Sequence, residues 1–498
     1  MTQAVASGHR MTTDTAMDVL LAGGTAVDAC IAAAFTAFVA EPVLAQPLGG
    51  GFLMVLPKGG TPVLMDAFIQ TPRQKPAEAD LDLRTVTVDF GTTTQDFHIG
   101  AGTTGTPCLM QGLWEAHARL GRIPLRDLAE PATRLAREGC ALTAFQANVA
   151  SIVGPILTAT ESIRALYCNE DALLGLGAVF RNPDLADALE TAAIEGPRLF
   201  ADGEIGRALL SMQGTALSAE DLRRAEPRWR APLSISRAGV EVHLNPPPSL
   251  GGVQIALALL ALPGTPDAAQ IASAMLAINE VRRAARIDDA PSEARRILDP
   301  DLVEQVRRIS QTRRVAQRGT THISVVDSFG TGAALTLSNG EGNGQILPGT
   351  GIHPNNMLGE EDLVPDGPTA WPENQRLASM MCPMCLRDGV GGITVLGSGG
   401  SNRIRSALTT VTLNLIDAGM PLADAVDAPR MHVEGTRLDF EAQDDAARRE
   451  LLLTHFTEAT AWPETSLFFG GVHAARLDAR GDVSAVGDPR RAGYGATA

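Results

Sequence analysis

The sequence predicts a soluble globular chain that mixes helices with strands, and three observations carry that expectation. Of its 498 residues, 45% are hydrophobic and 20% charged, the balance of a protein that buries a large core; length alone allows two or three domains. Apolar residues recur at helical spacing in several stretches, beginning with Met11 to Ala40. Elsewhere short β-rich runs are punctuated by glycine. The clearest is Arg318-Gly-Thr-Thr-His-Ile-Ser-Val-Val-Asp327, which is followed by Ser328-Phe329-Gly330 and by Thr331 to Ser338 and reads as a hairpin.

Charge and cysteine usage narrow the functional classes. A net charge of −16 argues against non-specific binding to nucleic acid or anionic membranes. Lys58 and Lys75 are the only lysines, a bias we ascribe to codon usage. Six cysteines (30, 108, 140, 168, 382 and 385) show no framework spacing, and a Cys140–Cys168 bridge would be a guess. Cys382-Pro-Met-Cys385 has no second pair to complete a zinc site and reads as two buried thiols. The nine histidines show no ligand spacing, so neither metal nor cofactor is expected. No N-terminal export pattern and no apolar run of 18 residues is present. The expected location is the cytoplasm, or the periplasm if a signal precedes Met1.

Taken in order, Gly23-Gly24 splits two helices between Met11 and Ala40, and Gly49-Gly50-Gly51 turns into a strand through Val55. Residues 97–150 carry a strand, then helices over Gly112–Gly121 and Leu125–Gly139. Three more helices are expected over Leu185–Gly196, Leu199–Gln213 and Ser218–Ala225, the last capped by Ser218-Ala-Glu-Asp221. Asn245-Pro-Pro-Pro-Ser249-Leu-Gly251-Gly252 is a stiff piece that could serve only as a linker. Arginine pairs at 282–283, 295–296, 307–308 and 313–314 read as a solvated helical face leading an exposed segment up to Gly319. Residues 360–376, with three prolines, form a loop; Met380–Leu386 and Gly392–Leu396 are strands. Gly397-Ser398-Gly399-Gly400 precedes a helix from about Ser401 to Ala418, and free glycine N–H groups there could hold a developing oxyanion. The Lys-Ser/Thr of a phosphate-binding loop is missing. Gly471–Leu477 reads as a final strand.

The hairpin carries the chemistry. From His322 to Asp327 polar and apolar residues alternate as in a half-buried strand, and a three-residue loop closing on a left-handed glycine would set Ser338 opposite Thr320. A threonine that becomes a chain terminus has its own base in its free α-amine, and a second hydroxyl can orient the pair. The competing reading is a surface hairpin of ordinary β-formers. His322 invites a triad reading, but an N-terminal nucleophile needs no histidine base, and its strand position marks it as structural.

Thr320-Thr-His-Ile-Ser-Val-Val-Asp327 resembles the processing site of the γ-glutamyltranspeptidase (glutathione hydrolase) family. Gly23-Gly-Thr-Ala-Val-Asp-Ala29 with Gly49-Gly-Gly-Phe52, Pro131-Ala-Thr-Arg-Leu-Ala136, the triple-Pro, Ser, Gly-Gly run and Gly487-Asp-Pro-Arg490 agree with it in order over nearly the whole chain. The resemblance implies an α+β fold, a four-layer αββα sandwich of the N-terminal-nucleophile hydrolase type. It also implies self-cleavage between Gly319 and Thr320 into a heavy portion, 1–319, and a light portion, 320–498, of a single unit. Thr320 would then attack a small-molecule amide, and water or an amine acceptor would resolve the acyl-enzyme. Ser338 takes the place of the family's second hydroxyl and Gly399 and Gly400 that of its oxyanion hole, although the Pro usual in that turn is absent and Asn402 is an extra residue.

The substrate positions depart from the pattern. Aligned through Asp66 and Pro72, the family's carboxylate-binding Arg is Phe68; aligned through Pro383, its serine pair is Ser379 and Met380. Through Asn355-Asn356, its Gln or Glu becomes Met357 and its Asp becomes Glu360, and its Asn is Asn339 or Asn343. An arginine fork is the strongest fixed element for a carboxylate, and Phe in its place leaves that carboxylate without a partner. The loop from Glu360 to Arg376 is shorter than the lid of many members and lacks its Tyr, which implies a more open cleft. Three functions are thus in play: a γ-glutamyl hydrolase or transferase, an acylase for a less polar acyl group with the same machinery, as in the family's cephalosporin acylases, and a non-catalytic relative that binds.

Overall fold

A computed structural model describes residues 2–89, 94–308, 319–443 and 445–498. Its centre is two antiparallel sheets. In chain order their strands are β1 (Ala4–Ser7), β2 (Gly50–Leu56), β3 (Val63–Ala67), β4 (Arg228–Arg230), β5 (Leu233–Arg237), β6 (Val240–Leu244), β7 (Thr321–Val326), β8 (Gly332–Ser338), β9 (Met384–Arg387), β10 (Ile393–Gly399), β11 (Gly471–Leu477), β12 (Val483–Val486) and β13 (Tyr494–Thr497). The seven-stranded sheet runs β4-β3-β2-β8-β7-β1-β13 and the six-stranded one β5-β6-β9-β10-β11-β12.

Helices cover the outer face of each sheet, which completes an αββα stack. On the first sheet, Arg10–Leu21 and Ala26–Ala40 flank the turn at Gly23, as the sequence predicts. Thr25 and Asp28 form a reciprocal cap at the start of the second helix, every residue of which is buried. Leu53, Val55, Ile323, Val325, Leu335 and Leu337 share a core with it. On the second sheet, Gly251–Ala261, Ala268–Ala284 and Arg403–Ile416 share a core with Leu396 and Val472.

The hairpin has the expected register: Thr321 lies opposite Leu337 and Val326 opposite Gly332, which continues to Thr320 beside Ser338. Its three-residue loop closes on Gly330 at φ +79°, a conformation that favours glycine. The expected half-burial is corrected, because the whole of Thr321–Val326 is buried. Ile323 and Val325 face helices, while His322 and Ser324 face the second sheet and are satisfied there. The His322 ring nitrogens bond Thr336 Oγ1 at 2.8 Å and Ser324 Oγ at 2.9 Å, and Ser324 Oγ donates to the His473 carbonyl at 3.1 Å. Alternation reports which side chains share a face, and a second sheet can cover a polar face as well as water can.

Other elements need small corrections. The helix expected over 199–213 is two pieces, Arg198–Ala201 and Glu204–Ser211, separated at Asp202-Gly203, where glycine weakens helix continuation. Ser218 and Asp221 cap Ala219–Arg223 reciprocally, as expected. All six cysteines are free, so there is no Cys140–Cys168 bridge, and Cys382 and Cys385 are buried thiols. Arg283, Arg295 and Arg296 are exposed, in keeping with a solvated face. Arg313-Arg314 and the approach to Gly319 lie outside the described residues. Among the described residues no helix is long and apolar enough to cross a membrane.

Candidate active site

The first turn of chain before β7 brings two hydroxyls onto one carbonyl. Thr320 is 5% exposed, and its Oγ1 donates to the Gly319 carbonyl oxygen at 2.7 Å. Ser338 Oγ donates to the same oxygen at 3.0 Å and accepts the Gly340 N–H at 3.1 Å. The Ser338 bond to Gly319 follows from the hairpin register, since residues at facing ends of paired strands meet; the Thr320 bond is local to its own peptide. His322 is fully spent on Thr336 and Ser324, and burial beside His473 holds its pKa well below the usual value, so it stays neutral and structural.

Behind Thr320 is a buried carboxyl that the sequence did not signal. Thr321 Oγ1 donates to Glu41 Oε2 at 2.6 Å and Thr12 Oγ1 to Oε1 at 3.3 Å. Burial pushes the Glu41 pKa up to about 7 against the lowering effect of those hydroxyls and of Arg491. Arg491 was missed as well. Its Nη1 lies 3.4 Å from the Thr320 carbonyl, and desolvation lowers its pKa to about 10. Glu41 stands alone before a proline; Arg491 follows Gly487-Asp-Pro-Arg490 by one residue, so only the C-terminal motif offered a signal.

Gly399 ends β10 beside this centre, and Gly400 follows it. A side chain at Gly399 would run into the Thr320 carbonyl oxygen, so the strand can approach Thr320 only as glycine. Gly400 has φ +124° and Ser401 φ +50°, and the helix starts at Arg403 after Asn402. In the uncut chain, the hydrogen bonds to the Gly319 carbonyl come from the Thr320 and Ser338 hydroxyls.

One cleft, enclosing about 500 Å³, joins Thr320 and Ser338 to five of the six expected substrate positions: Phe68, Met357, Glu360, Ser379 and Met380. Phe68 is buried and stacks on Phe52 with centroids 5.3 Å apart. Asn339 is not brought to the cleft; it is fully buried and donates its amide to the His353 carbonyl at 3.1 Å. Asn343 is likewise turned away and bonds Thr104 Oγ1 at 3.0 Å. The ionisable residues lining the cleft are Glu360 and Asp362. The nearby arginines serve the wall. Arg230 pairs with Asp66 at 2.8 Å, and Arg376 is 3.5 Å from Asp66 and bonded to the carbonyls of Phe68 and Glu226.

The triple-proline run is a buttress for this cleft and not a linker. Ser249 Oγ donates to the carbonyls of Ser379 at 2.8 Å and Met381 at 3.1 Å, and Asn245 Nδ2 reaches Met381 O at 2.9 Å. Leu250 and Gly251 N–H groups also bond the Ser379 carbonyl. This fixes the backbone that presents Ser379 and Met380.

Known proteins resemble the chain over nearly its whole length. The family model described as Gamma-glutamyltranspeptidase matches residues 12–498. The chain is 28% identical to an acylase ACY 1 proenzyme of Pseudomonas sp. (strain SE83), over 96% of this chain and 90% of that one. It is also 28% identical to the glutathione hydrolase proenzyme of Escherichia coli (strain K12), over 86% and 80%. Among solved structures, the cephalosporin acylase from Bacillus halodurans superposes with a TM-score of 0.85 at 22% identity, covering 99% of this chain and 95% of that one. The match over nearly the whole length, on a fold and hairpin of this kind, means that the chain belongs to the gamma-glutamyltranspeptidase family and is an enzyme of it.

Proposed function

We propose that this enzyme cleaves itself between Gly319 and Thr320 and then works as an acylase, hydrolysing or transferring an apolar acyl group through an acyl-Thr320 intermediate. The observation that carries the reading is the pair of hydroxyls on the Gly319 carbonyl, at 2.7 and 3.0 Å. In maturation, Thr320 Oγ1 attacks the Gly319 carbonyl carbon, the Gly319–Thr320 C–N bond breaks, and water cleaves the resulting ester. A heavy portion, 1–319, and a light portion, 320–498, result, with a free α-amine on Thr320. In turnover that amine takes the hydroxyl proton as Oγ1 attacks the substrate carbonyl and passes it to the departing nitrogen. Water or an amine then resolves the ester, and the neighbouring Gly399-Gly400 turn is the element we assign to the oxyanion.

The acyl preference follows from the cleft. Phe68, Met357 and Met380 offer apolar surface, and Glu360 and Asp362 oppose a carboxylate. A γ-glutamyl or glutaryl carboxylate would enter without a cation and beside like charge, an unfavourable burial. Relatives named as acylases and as glutathione hydrolases match at the same identity, so the choice rests on the cleft, while the intact hydroxyl pair speaks against a purely binding role.

Denatured mass tests the first claim. Wild type should give two fragments, the smaller beginning at Thr320, and Thr320→Ala a single chain with activity lower by on the order of 10³-fold or more. Anilides test the second: neutral acyl groups should exceed γ-glutamyl in kcat/KM. An uncut wild-type chain would refute the acyl-Thr320 mechanism, and a γ-glutamyl preference would refute the apolar assignment.

A further inference from the structure

The turn after β10 stops being glycine at its third residue. Ser401 holds φ +50° after Gly400 at +124°, a left-handed backbone that glycine adopts freely and that costs a residue with a Cβ. Such a residue keeps its conformation only where its surroundings fix it. The Gly400 carbonyl accepts the Arg403 N–H at 3.0 Å and the Ser401 carbonyl that of Ile404 at 3.0 Å, so both turn into the helix. In a trans peptide the C=O and N–H point opposite ways, and the Ser401 N–H therefore points away from the helix. Among the described residues no backbone carbonyl accepts it.

The group that fixes Ser401 comes from the acyl cleft. Ser401 Oγ donates to Asp362 Oδ2 at 2.8 Å, and both residues line the cleft together with Gly319 and Thr320. Asp362 is itself held from two sides. Its loop folds back on Glu360, whose carbonyl accepts the Leu363 and Val364 N–H groups at 3.0 and 2.8 Å, and Val364 is buried in the core of the second sheet. On the other side Arg403 and Arg405, in the helix that Ser401 leads into, and Arg282 interact with its charge. The one left-handed side chain of the turn is thus tied to a carboxylate that faces the acyl group.

We propose that the Asp362–Ser401 bond is a latch: the carboxylate of the cleft loop holds Ser401 left-handed and so aims its N–H at the carbonyl oxygen of the acyl group that Thr320 attacks. Asp362 and the Ser401 hydroxyl are positioning groups that act through the Ser401 backbone. The assignment rests on the acyl-Thr320 reading and adds to it a residue beyond Gly399 and Gly400. As the bond from Thr320 Oγ1 to the carbonyl carbon forms, the carbonyl π pair moves onto oxygen, where the aimed N–H meets the charge; as the C–N bond breaks, the pair returns. Because the latch is part of the cleft wall, a substrate that draws Asp362 to itself, as an ammonium group would, loosens the turn and loses kcat.

Two substitutions at one position test it in the processed enzyme, with the cleavage of each variant checked by denatured mass. Ser401→Ala keeps the Cβ and loses the hydroxyl, so kcat on a neutral acyl anilide should fall about tenfold while KM moves by less than about twofold. Ser401→Gly loses the same hydroxyl but takes the left-handed backbone without strain, and should regain about fivefold over Ser401→Ala. A contact that only braced the fold would make glycine no better than alanine. Asp362→Ala should match Ser401→Ala, add little to it in the double variant, and be partly rescued by Asp362→Asn, which keeps an acceptor without the charge. As a readout of the oxyanion, an alkyl boronate of the same acyl shape, tetrahedral once bonded to Thr320, should bind Ser401→Ala about tenfold more weakly than wild type. Ser401→Gly no faster than Ser401→Ala, or boronate affinity unmoved in Ser401→Ala, would overturn the latch and leave the acyl-Thr320 mechanism standing. No boronate binding by the processed wild type would overturn that mechanism, and the latch with it.

Discussion

The hairpin mouth and the acyl cleft share one site but are built on different terms. On the hairpin, Thr320, Thr321, His322, Ser324, Thr336 and Ser338 all have named side-chain or carbonyl partners between 2.6 and 3.1 Å. In the cleft, the lining is mostly apolar side chains, with the carboxyl groups of Glu360 and Asp362 and the hydroxyls of Ser379 and Ser401, and the segment at 379–381 is fixed through its backbone carbonyls. Bond-making chemistry needs atoms held within tenths of an ångström, which a network of short hydrogen bonds between paired strands supplies. Apolar recognition needs only shape and the absence of an unpaired charge, so a loop can be refitted without disturbing the nucleophile.

Ser338→Ala is the strongest way to break the comparison from the hairpin side. It removes one of the two donors on the Gly319 carbonyl and orphans the Gly340 N–H, and processing should slow by roughly 10²–10³-fold. Cleavage at the wild-type rate, followed by mass against time, would mean that the network is structural only. Glu41 tests how far the network extends. Its folded pKa of about 7 lies above the ordinary 4.5, so between these values the folded state holds a proton that the unfolded state has released. The stability this group contributes is full below pH 4.5 and is lost as pH rises through 7, by about 3 kcal/mol in all. Denaturant unfolding in the Thr320→Ala background should show the stability difference between Glu41 and Glu41→Gln moving against the glutamate by that amount from pH 4.5 to 8. A difference constant with pH would place the carboxyl in another protonation state. The smallest effect probes the cleft: Phe68→Arg with Met380→Ser restores a cation and a hydroxyl, and should raise the ratio of γ-glutamyl to neutral acyl activity about tenfold without altering processing. An unmoved ratio would mean that residue 68 does not face the acyl group.

Several parts of this site were legible in the chain because they are local. The hairpin register follows from a three-residue loop ending on Gly330, and it carried Ser338 to Thr320 before any tertiary contact was considered. The helix pair at 10–40 and the cap at Ser218 are also short-range patterns. Asn339 was misassigned to the cleft because position after a strand says nothing about which way a side chain turns; His353 claims its amide. Ser249 was taken for part of a linker because its partners, Ser379 and Met381, lie 130 and 132 residues away.

By itself, the sequence determined the hairpin that sets Ser338 beside Thr320 and the glycine turn at 397–400, since each depends on residue type within a short segment. The tertiary structure decided that the polar face of β7 meets a second sheet, that Glu41 is sealed behind Thr321, and that Arg491 reaches the Thr320 carbonyl. Those features join residues from distant parts of the chain, and their effects come from burial: a carboxyl, an imidazole or a guanidinium acquires its charge state from what surrounds it, which no spacing of letters specifies.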